Sequence, residues 1–492
     1  MQQINFLFLT KKYSPILLAM FIVLFLANCK KDNNGSLSAV SFTGNESYFK
    51  NDTLTFDTVF TSLGSTTRSF KIKNNQNQPL VIDQIKLMAL QGNQYRINVD
   101  GINGTNFYEV EIGAKDSIYV FVEVTVNPNT ATAPLVITDE IQVIDNGQTK
   151  SVFLQAWGQD AYYHFGDSIA STIVWPNDKP HIVLNIFPIK TTGSLTLQPR
   201  TRVYMGPNAL ITCDGQFTIN GGANGDSVVF QGIRLEHSFD NKPGQWLGIV
   251  YGRSSQINFN YAIINESYFG LSDEHVVNVL VNDHVTTSFL ATYSTANAPD
   301  VNLNQCIIRN AASSAITALY SNVVATNCLF HSCGGQMVVL AYGGNYFLRH
   351  CTLANSYNVS TTHKTPTLTL SDAILDLDET ANSANTTVTV ENSIIYGTLQ
   401  NELTRIENNN LLTTQFSNSL LKMPADSFRV FQTNLSGCIF NDDPKFKDVS
   451  KQDYSPAVAT APQVNTGLNL GVLIDLYGKS RDAQPDMGAI EW

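Results

Sequence analysis

From about Asn51 to Asp160, apolar and polar residues alternate with a period of two. The runs Thr53 to Phe60, Arg68 to Lys73 and Ser117 to Val124 each place apolar side chains on one face of a strand and polar ones on the other. Turn-forming clusters, Asn74 to Pro79 and Asp145-Asn146-Gly147, separate such runs. Seven or eight strands in roughly 110 residues predict a two-sheet sandwich. The segment has no Cys-Trp-Cys pattern, which excludes an antibody-type domain. Its role is that of a spacer, with adhesion or a protein contact as the alternative.

Beyond Asp160 the pattern changes to a repeat. A small residue followed by two mostly apolar ones recurs as Ala262-Ile263-Ile264, Cys306-Ile307-Ile308, Cys328-Leu329-Phe330, Cys351-Thr352-Leu353, Ser393-Ile394-Ile395, Ser419-Leu420-Leu421 and Cys438-Ile439-Phe440. Successive spacings are 44, 22, 23, 42, 26 and 19 residues. A period near 22 with short strands predicts the coils of a parallel β-helix, each too small to bury its own apolar face and so stacked on the next. The leucine-and-asparagine consensus of leucine-rich repeats is missing. The two long gaps, 265–305 and 354–392, hold either a weaker rung or an inserted loop, and Ala373-Ile374-Leu375 is a candidate rung in the second. The third signature position is always large and apolar, so it points inward, and alternation places the small first position inside with it. The preceding residue is polar or Gly in most rungs, among them Asn327, Asn392 and Asn418. Asn tolerates left-handed backbone and can stack its amide along a ladder of turns.

The N-terminus adds an address. Lys11 and Lys12 precede an apolar run, Ile16 to Ala27, that is short for a transmembrane span. The run ends in Leu26-Ala27-Asn28-Cys29, which resembles the lipobox of bacterial lipoproteins. That resemblance implies a signal peptide over 1–28, cleavage before Cys29, and lipid attachment at Cys29. Lys30 to Ser38 read as a flexible tether within 29–50, and the charged residues after Cys29 resemble the surface-export signal of Bacteroidota lipoproteins. Only 14% of residues are charged, and Asn, Thr, Ser and Gln supply the polarity, as in exported β-rich proteins. The formal charge of −11 becomes −13 once Lys11 and Lys12 are removed. That balance argues against nucleic acid or an anionic membrane surface as a partner.

Several longer motifs occur together: Gly193 to Tyr204, Pro243-Gly-Gln-Trp-Leu-Gly-Ile249, the rungs, Asp443-Pro444-Lys445-Phe446 and Pro485 to Glu491. With them, residues 160 to 492 resemble the right-handed parallel β-helix lipoproteins of Bacteroidota, related in fold to pectate lyases. The segment 51–160 resembles the immunoglobulin-like modules found between a lipid tether and a larger domain. The resemblance implies an all-β chain: an N-terminal immunoglobulin-like β-sandwich over 51–160, a right-handed parallel β-helix over 161–445 and its C-terminal cap over 446–492. The stretch between Asp453-Tyr454 and Ser455-Pro456 is shorter than the usual family pattern.

Candidate chemistry is sparse. Cys328, His331 and Cys333, with His350-Cys351 nearby, have the composition of a zinc site, but the repeat sends Cys328 inward and His331 outward, so the ligand vectors diverge. Cys306, Cys328 and Cys351 stack with parallel Cβ vectors, poorly suited to a disulfide, and read as free buried thiols. Asp442-Asp443 form one carboxylate pair in a turn-forming segment. Asp372, Asp376, Asp378 and Glu379 form a second cluster without EF-hand spacing. Asp273, Glu274, His275, Asp283 and His284 lie in the long gap, where an inserted loop would line a groove or stand solvated. Trp246 is either a carbohydrate platform or a packing residue against the preceding rung.

The sequence therefore predicts an outer-membrane, surface-exposed or periplasm-facing lipoprotein whose β-helix binds a glycan or another envelope component. Tentative binding residues are Trp246, Asp273, Glu274 and His275. Membrane contact is through the lipid anchor, and neither cofactor nor metal is expected. The alternatives are a polysaccharide lyase or glycoside hydrolase, with Ca²⁺ only for a lyase, and a structural or adhesive surface protein.

Overall fold

The computed structural model describes residues 36–128, 135–274, 300–356, 363–375, 381–424 and 434–492. Cys29, His275, Asp283, His284, Asp376, Asp378 and Glu379 lie outside these residues. The chain divides into two compact units at Gln159/Asp160.

The first unit is a two-sheet β-sandwich. A five-stranded sheet is built on Arg68–Asn74, Ser117–Val124 and Tyr95–Val99, and a six-stranded sheet on Thr53–Phe60, Gln148–Gln159, Leu135–Asp145 and Leu80–Leu87. Inward positions of the predicted alternating runs, such as Leu54, Phe70, Val120 and Val122, meet in one core. The unit has more strands than the alternation predicts, because short edge strands such as Phe49–Lys50 and Ile102–Gly104 carry too few residues to show a period. It also begins earlier: Val40–Gly44 is a strand of the sandwich rather than tether, held by pairing with Arg68–Asn74 and by burial of Val40.

In the second unit each coil contributes three parallel strands. The first row runs through His181–Val183, Arg202–Met205, Val228–Gly232 and then all the signature rungs, in an 11-stranded parallel sheet. A second row contains Leu210–Cys213, Gly248–Tyr251 and Leu271–Asp273, and a third contains Gln216–Asn220, Gln256–Asn260 and Asp300–Asn304. In two coils the second and third rows fuse into single bent strands, Ile316–Thr326 and Val338–Arg349. These long parallel rows form a β-helix.

The signature is in register. Ile264, Ile308, Phe330, Leu353, Ile395, Leu421 and Phe440 are successive partners in one ladder, and all pack in or against the central core. Both long gaps are single coils with insertions. Ile264 pairs directly with Ile308, and Leu353 with Ile395. Ala373–Leu375 is therefore not a rung. It follows immediately on the second-row strand Leu368–Ser371 and turns into an antiparallel hairpin with Ala381–Ser383.

The small first position has a reason beyond space. Each rung is preceded by a left-handed residue: Tyr261, Gln305, Asn327, His350, Asn392, Asn418 and Gly437, with φ between 41° and 63°. At that corner the side chain of the next residue reaches back to a carbonyl two residues earlier. Cys328 Sγ donates to Thr326 O (3.3 Å), Ser393 Oγ to Glu391 O (2.8 Å) and Ser419 Oγ to Ser417 O (2.9 Å). Cys and Ser alternate because both are small donors that satisfy a carbonyl freed by the corner. All the described cysteines are free, and burial pushes the Cys333 thiol up to about 12.

The C-terminal segment does more than close the last coil. It runs back across the outside of the first row. Ala489, Ile490, Leu476 and Tyr454 pack on Leu329, Ala354 and Ile307, while Met487 and Phe446 pack on Ile394, Leu420 and Ile439. The corner amides reach this strap, and two of them also bond to the preceding corner, Asn392 to His350 and Gln305 to Tyr261. Gln305 Nε2 donates to Asp475 O (2.7 Å), Asn327 Nδ2 to Ile474 O (2.8 Å), Asn392 Nδ2 to Leu468 O (2.7 Å) and Asn418 Nδ2 to Thr466 O (3.1 Å).

Candidate functional site

The third row presents its outer face to solvent, and its inward residues fix the register of that face. Ile257, Phe259, Val301, Leu303, Val323 and Ala325 point into the core, so their neighbours point out. The outward positions form a grid. Gln256, Asp300, Asn322 and Asn345 make one line; Asn258, Asn302, Val324 and Phe347 the next; Asn260, Asn304, Thr326 and Arg349 the third.

Amides brace the grid between coils. Asn302 Nδ2 donates to Asn258 Oδ1 at 3.0 Å, Asn304 Nδ2 to Asn260 Oδ1 at 3.2 Å, and Asn345 Nδ2 to Asn322 Oδ1 at 3.1 Å. Each such bond uses one donor and one acceptor of an amide that carries two donors and an acceptor with two lone pairs, although Asn304 also spends its second N–H on Gln305 Oε1 at 3.0 Å. A shallow cavity of about 310 Å³ lies over Asn258, Asn260, Asn302, Asn304, Val324 and Thr326. Arg349 is neutralised by Glu391, with Nη2 to Oε2 at 3.0 Å, and its guanidinium lies over the Phe347 ring at 4.7 Å. The grid is thus a hydrogen-bonding surface on which Arg349 and Glu391 cancel and Asp300, accepting from Asn322 Nδ2 at 3.0 Å, leaves one carboxylate.

The residues proposed from sequence lie elsewhere. Trp246 is fully buried, and its Nε1 donates to Asn265 O at 2.9 Å. It stacks towards Phe230 of the preceding strand in its own coil, so it is a core residue and not an exposed platform. Asp273 is also buried: its strand pairs it with Tyr251, an inward position. Arg253 Nη2 lies 4.0 Å from its carboxylate, which gives the enclosed charge a counterion. Glu274 stands with Asp214 over Gly252, where an added Cβ would fall 3.0 and 2.1 Å from their oxygens. The expected Asp273-Glu274-His275 group is therefore not a groove lining: Asp273 faces the interior, Glu274 sits at the corner, and His275 lies outside the described residues.

The remaining acidic candidates are turn anchors. Asp372 is buried and accepts from the backbone N–H groups of Asn408 (2.8 Å), Asn409 (3.1 Å) and Leu411 (3.0 Å). Burial alone would raise its pKa, but those donors outweigh it and hold the carboxyl below its ordinary value. Asp443 Oδ1 accepts from Lys445 N at 2.9 Å. His331 leaves the coil as the phase predicts, yet it is buried beneath Tyr454, with ring centroids 4.8 Å apart. Burial lowers its pKa well below the ordinary histidine value. Cys328 faces the interior, so the two side chains do not converge on a common ligand point.

Sequence reasoning missed the amide grid. Its signal was present as Asn258, Asn260, Asn302 and Asn304 at alternate positions of two strands, but pairing them needs the coil length across the insertion at 275–299.

The chain matches no protein-family model and no curated protein. Among solved structures it is similar to a family 123 glycoside hydrolase from Clostridium perfringens, at 8% identity and a TM-score of 0.19, over 26% of this chain and 30% of that one. The overlap is thus under a third of either protein.

Proposed function

We propose that the third-row face binds an uncharged glycan, on a lipoprotein displayed at an outer membrane. The observation that carries this reading is the grid of outward amides over a shallow cavity, with its one arginine already paired. Sugars present many hydroxyls in a near-planar array, and side-chain amides match them with a donor and an acceptor each. In this reading the chain is of the Bacteroidota type, the β-helix is right-handed, and Cys29 carries the lipid. The sandwich is an immunoglobulin-like spacer.

The test is a panel of neutral and acidic polysaccharides assayed for retention and for product release. Neutral polysaccharide should be retained, and Asn302→Ala with Asn304→Ala should weaken retention about tenfold, as expected for one or two lost hydrogen bonds. Release of reducing or unsaturated sugars would replace a binder with an enzyme. Cys29→Ser should abolish incorporation of a labelled fatty acid.

A further inference from the structure

We infer that the sandwich carries a second glycan site of its own, on the outer face of its five-stranded sheet. Two aromatic rings lie side by side on the central strand Ser117–Val124. Tyr119 and Phe121 have centroids 5.6 Å apart and planes 14° from parallel, and they remain 44% and 39% exposed. Alternation does not require them, since the outward positions of a spacer strand need only be polar. Flat aromatic surface in solvent costs free energy unless something covers it.

Polar groups flank the rings in register. Asn98 is the cross-strand partner of Phe121, and Arg96 that of Glu123. Asn98 Nδ2 donates to Asn103 Oδ1 at 2.8 Å, which leaves the two N–H groups of the Asn103 amide for a ligand. A cavity of about 680 Å³, lined by Phe121, Asn98, Asn103, Arg96 and Glu123, opens beside them, a size suited to a small-molecule or oligosaccharide ligand.

The charges define the ligand class. Arg96 Nη2 lies 3.5 Å from Glu123 Oε2, and Glu123 Oε1 also accepts from Thr67 Oγ1 at 2.5 Å. Lys71 Nζ lies 4.5 Å from the centre of the Tyr119 ring. Glu123 thus compensates Arg96, while the Lys71 ammonium rests on the Tyr119 ring. What remains is apolar ring surface bordered by amide donors, which fits the C–H face and hydroxyl edge of a neutral saccharide. An acidic polymer would compete with Glu123 for Arg96, and a basic peptide would meet Lys71.

The experiment uses the full chain and a panel of neutral oligosaccharides, with polygalacturonate as the acidic control, read by calorimetry. The Tyr119→Ala, Phe121→Ala double variant should weaken binding of at least one neutral member about tenfold or more. Phe121→Tyr should retain it. The Asn302→Ala, Asn304→Ala variant should leave this component unchanged, which separates the two sites. Both aromatic positions are surface ones, so an unshifted thermal midpoint serves as the folding control. The proposal falls if no neutral member depends on the two rings, or if polygalacturonate is the ligand lost in the double variant.

Discussion

Two outer faces of the same β-helix have opposite fates. Both are lined by residues that alternation points away from the core. On the first row these are Ile263, Ile307, Leu329, Ile394, Leu420 and Ile439, and from Ile307 onward the C-terminal strap covers them. On the third row they are mostly Asn, Gln and Thr, with Asp300, Val324, Phe347 and Arg349 among them, and they stay open. Outward therefore does not mean exposed. An apolar outward ladder marks a face that another segment will bury, and a polar one marks a face free to meet a ligand.

Removing the strap tests this contrast most severely. A chain ending at Asp443 should expose the first-row ladder and associate through it, seen as aggregation in size-exclusion chromatography and as binding of an apolar dye. An equivalent change on the third row should leave the hydrodynamic radius unaltered.

A single side chain should come next. Arg481 is buried and ties the strap together, with Nη1 to Glu491 Oε2 at 2.7 Å, Nη2 to Asn327 Oδ1 at 2.8 Å and Nη2 to Gly488 O at 2.9 Å. Arg481→Ala leaves Glu491 buried without its counterion and should cost about 3–5 kcal/mol, measured by chemical denaturation.

Acid should also loosen the covered face selectively. His350 is buried at a corner, and Asn392 Nδ2 donates to its Nε2 at 2.9 Å, so a proton added there would set donor against donor. Burial, aided by the nearby Arg481 charge, lowers its pKa to about 3. The folded chain thus binds fewer protons than the unfolded one below the ordinary histidine value of about 6.5, and stability falls with pH from there down to about 3. The slope for this one group approaches about 1.4 kcal/mol per pH unit. His350→Asn places the residue that other corners carry and should flatten that part of a stability–pH profile. His331 adds to the same loss.

The smallest effect belongs to the corner donors. Cys328→Ser keeps the donor to Thr326 O, as Ser393 and Ser419 do for their own carbonyls, and should cost about 1 kcal/mol by thermal denaturation. Cys328→Ala removes the donor and should cost more, because a buried carbonyl loses a partner.

Much of this fold was legible in the chain. Alternation located the sandwich core, and the spacing of the rungs placed seven residues that prove to be one ladder. The site was legible only in part. Trp246 reads from the sequence as either a platform or a packing residue, since an indole serves for both, and its burial against Phe230 selects the second. The long gap between rungs suggests an inserted loop around Asp273, but its strand register turns it inward beside Arg253. The Ala373-Ile374-Leu375 match failed because composition alone does not tell a rung from a hairpin arm.

By itself, the sequence determined which side chains of the signature rungs face into the coil, since that depends only on local periodicity and on the small residue each corner requires. Only the tertiary structure decided which outward faces are covered. That outcome depends on contacts such as Asn327 with Ile474 and Thr352 with Ala489, between residues more than a hundred positions apart. No local period encodes such a pairing, because the strap has no repeat to match the ladder it buries.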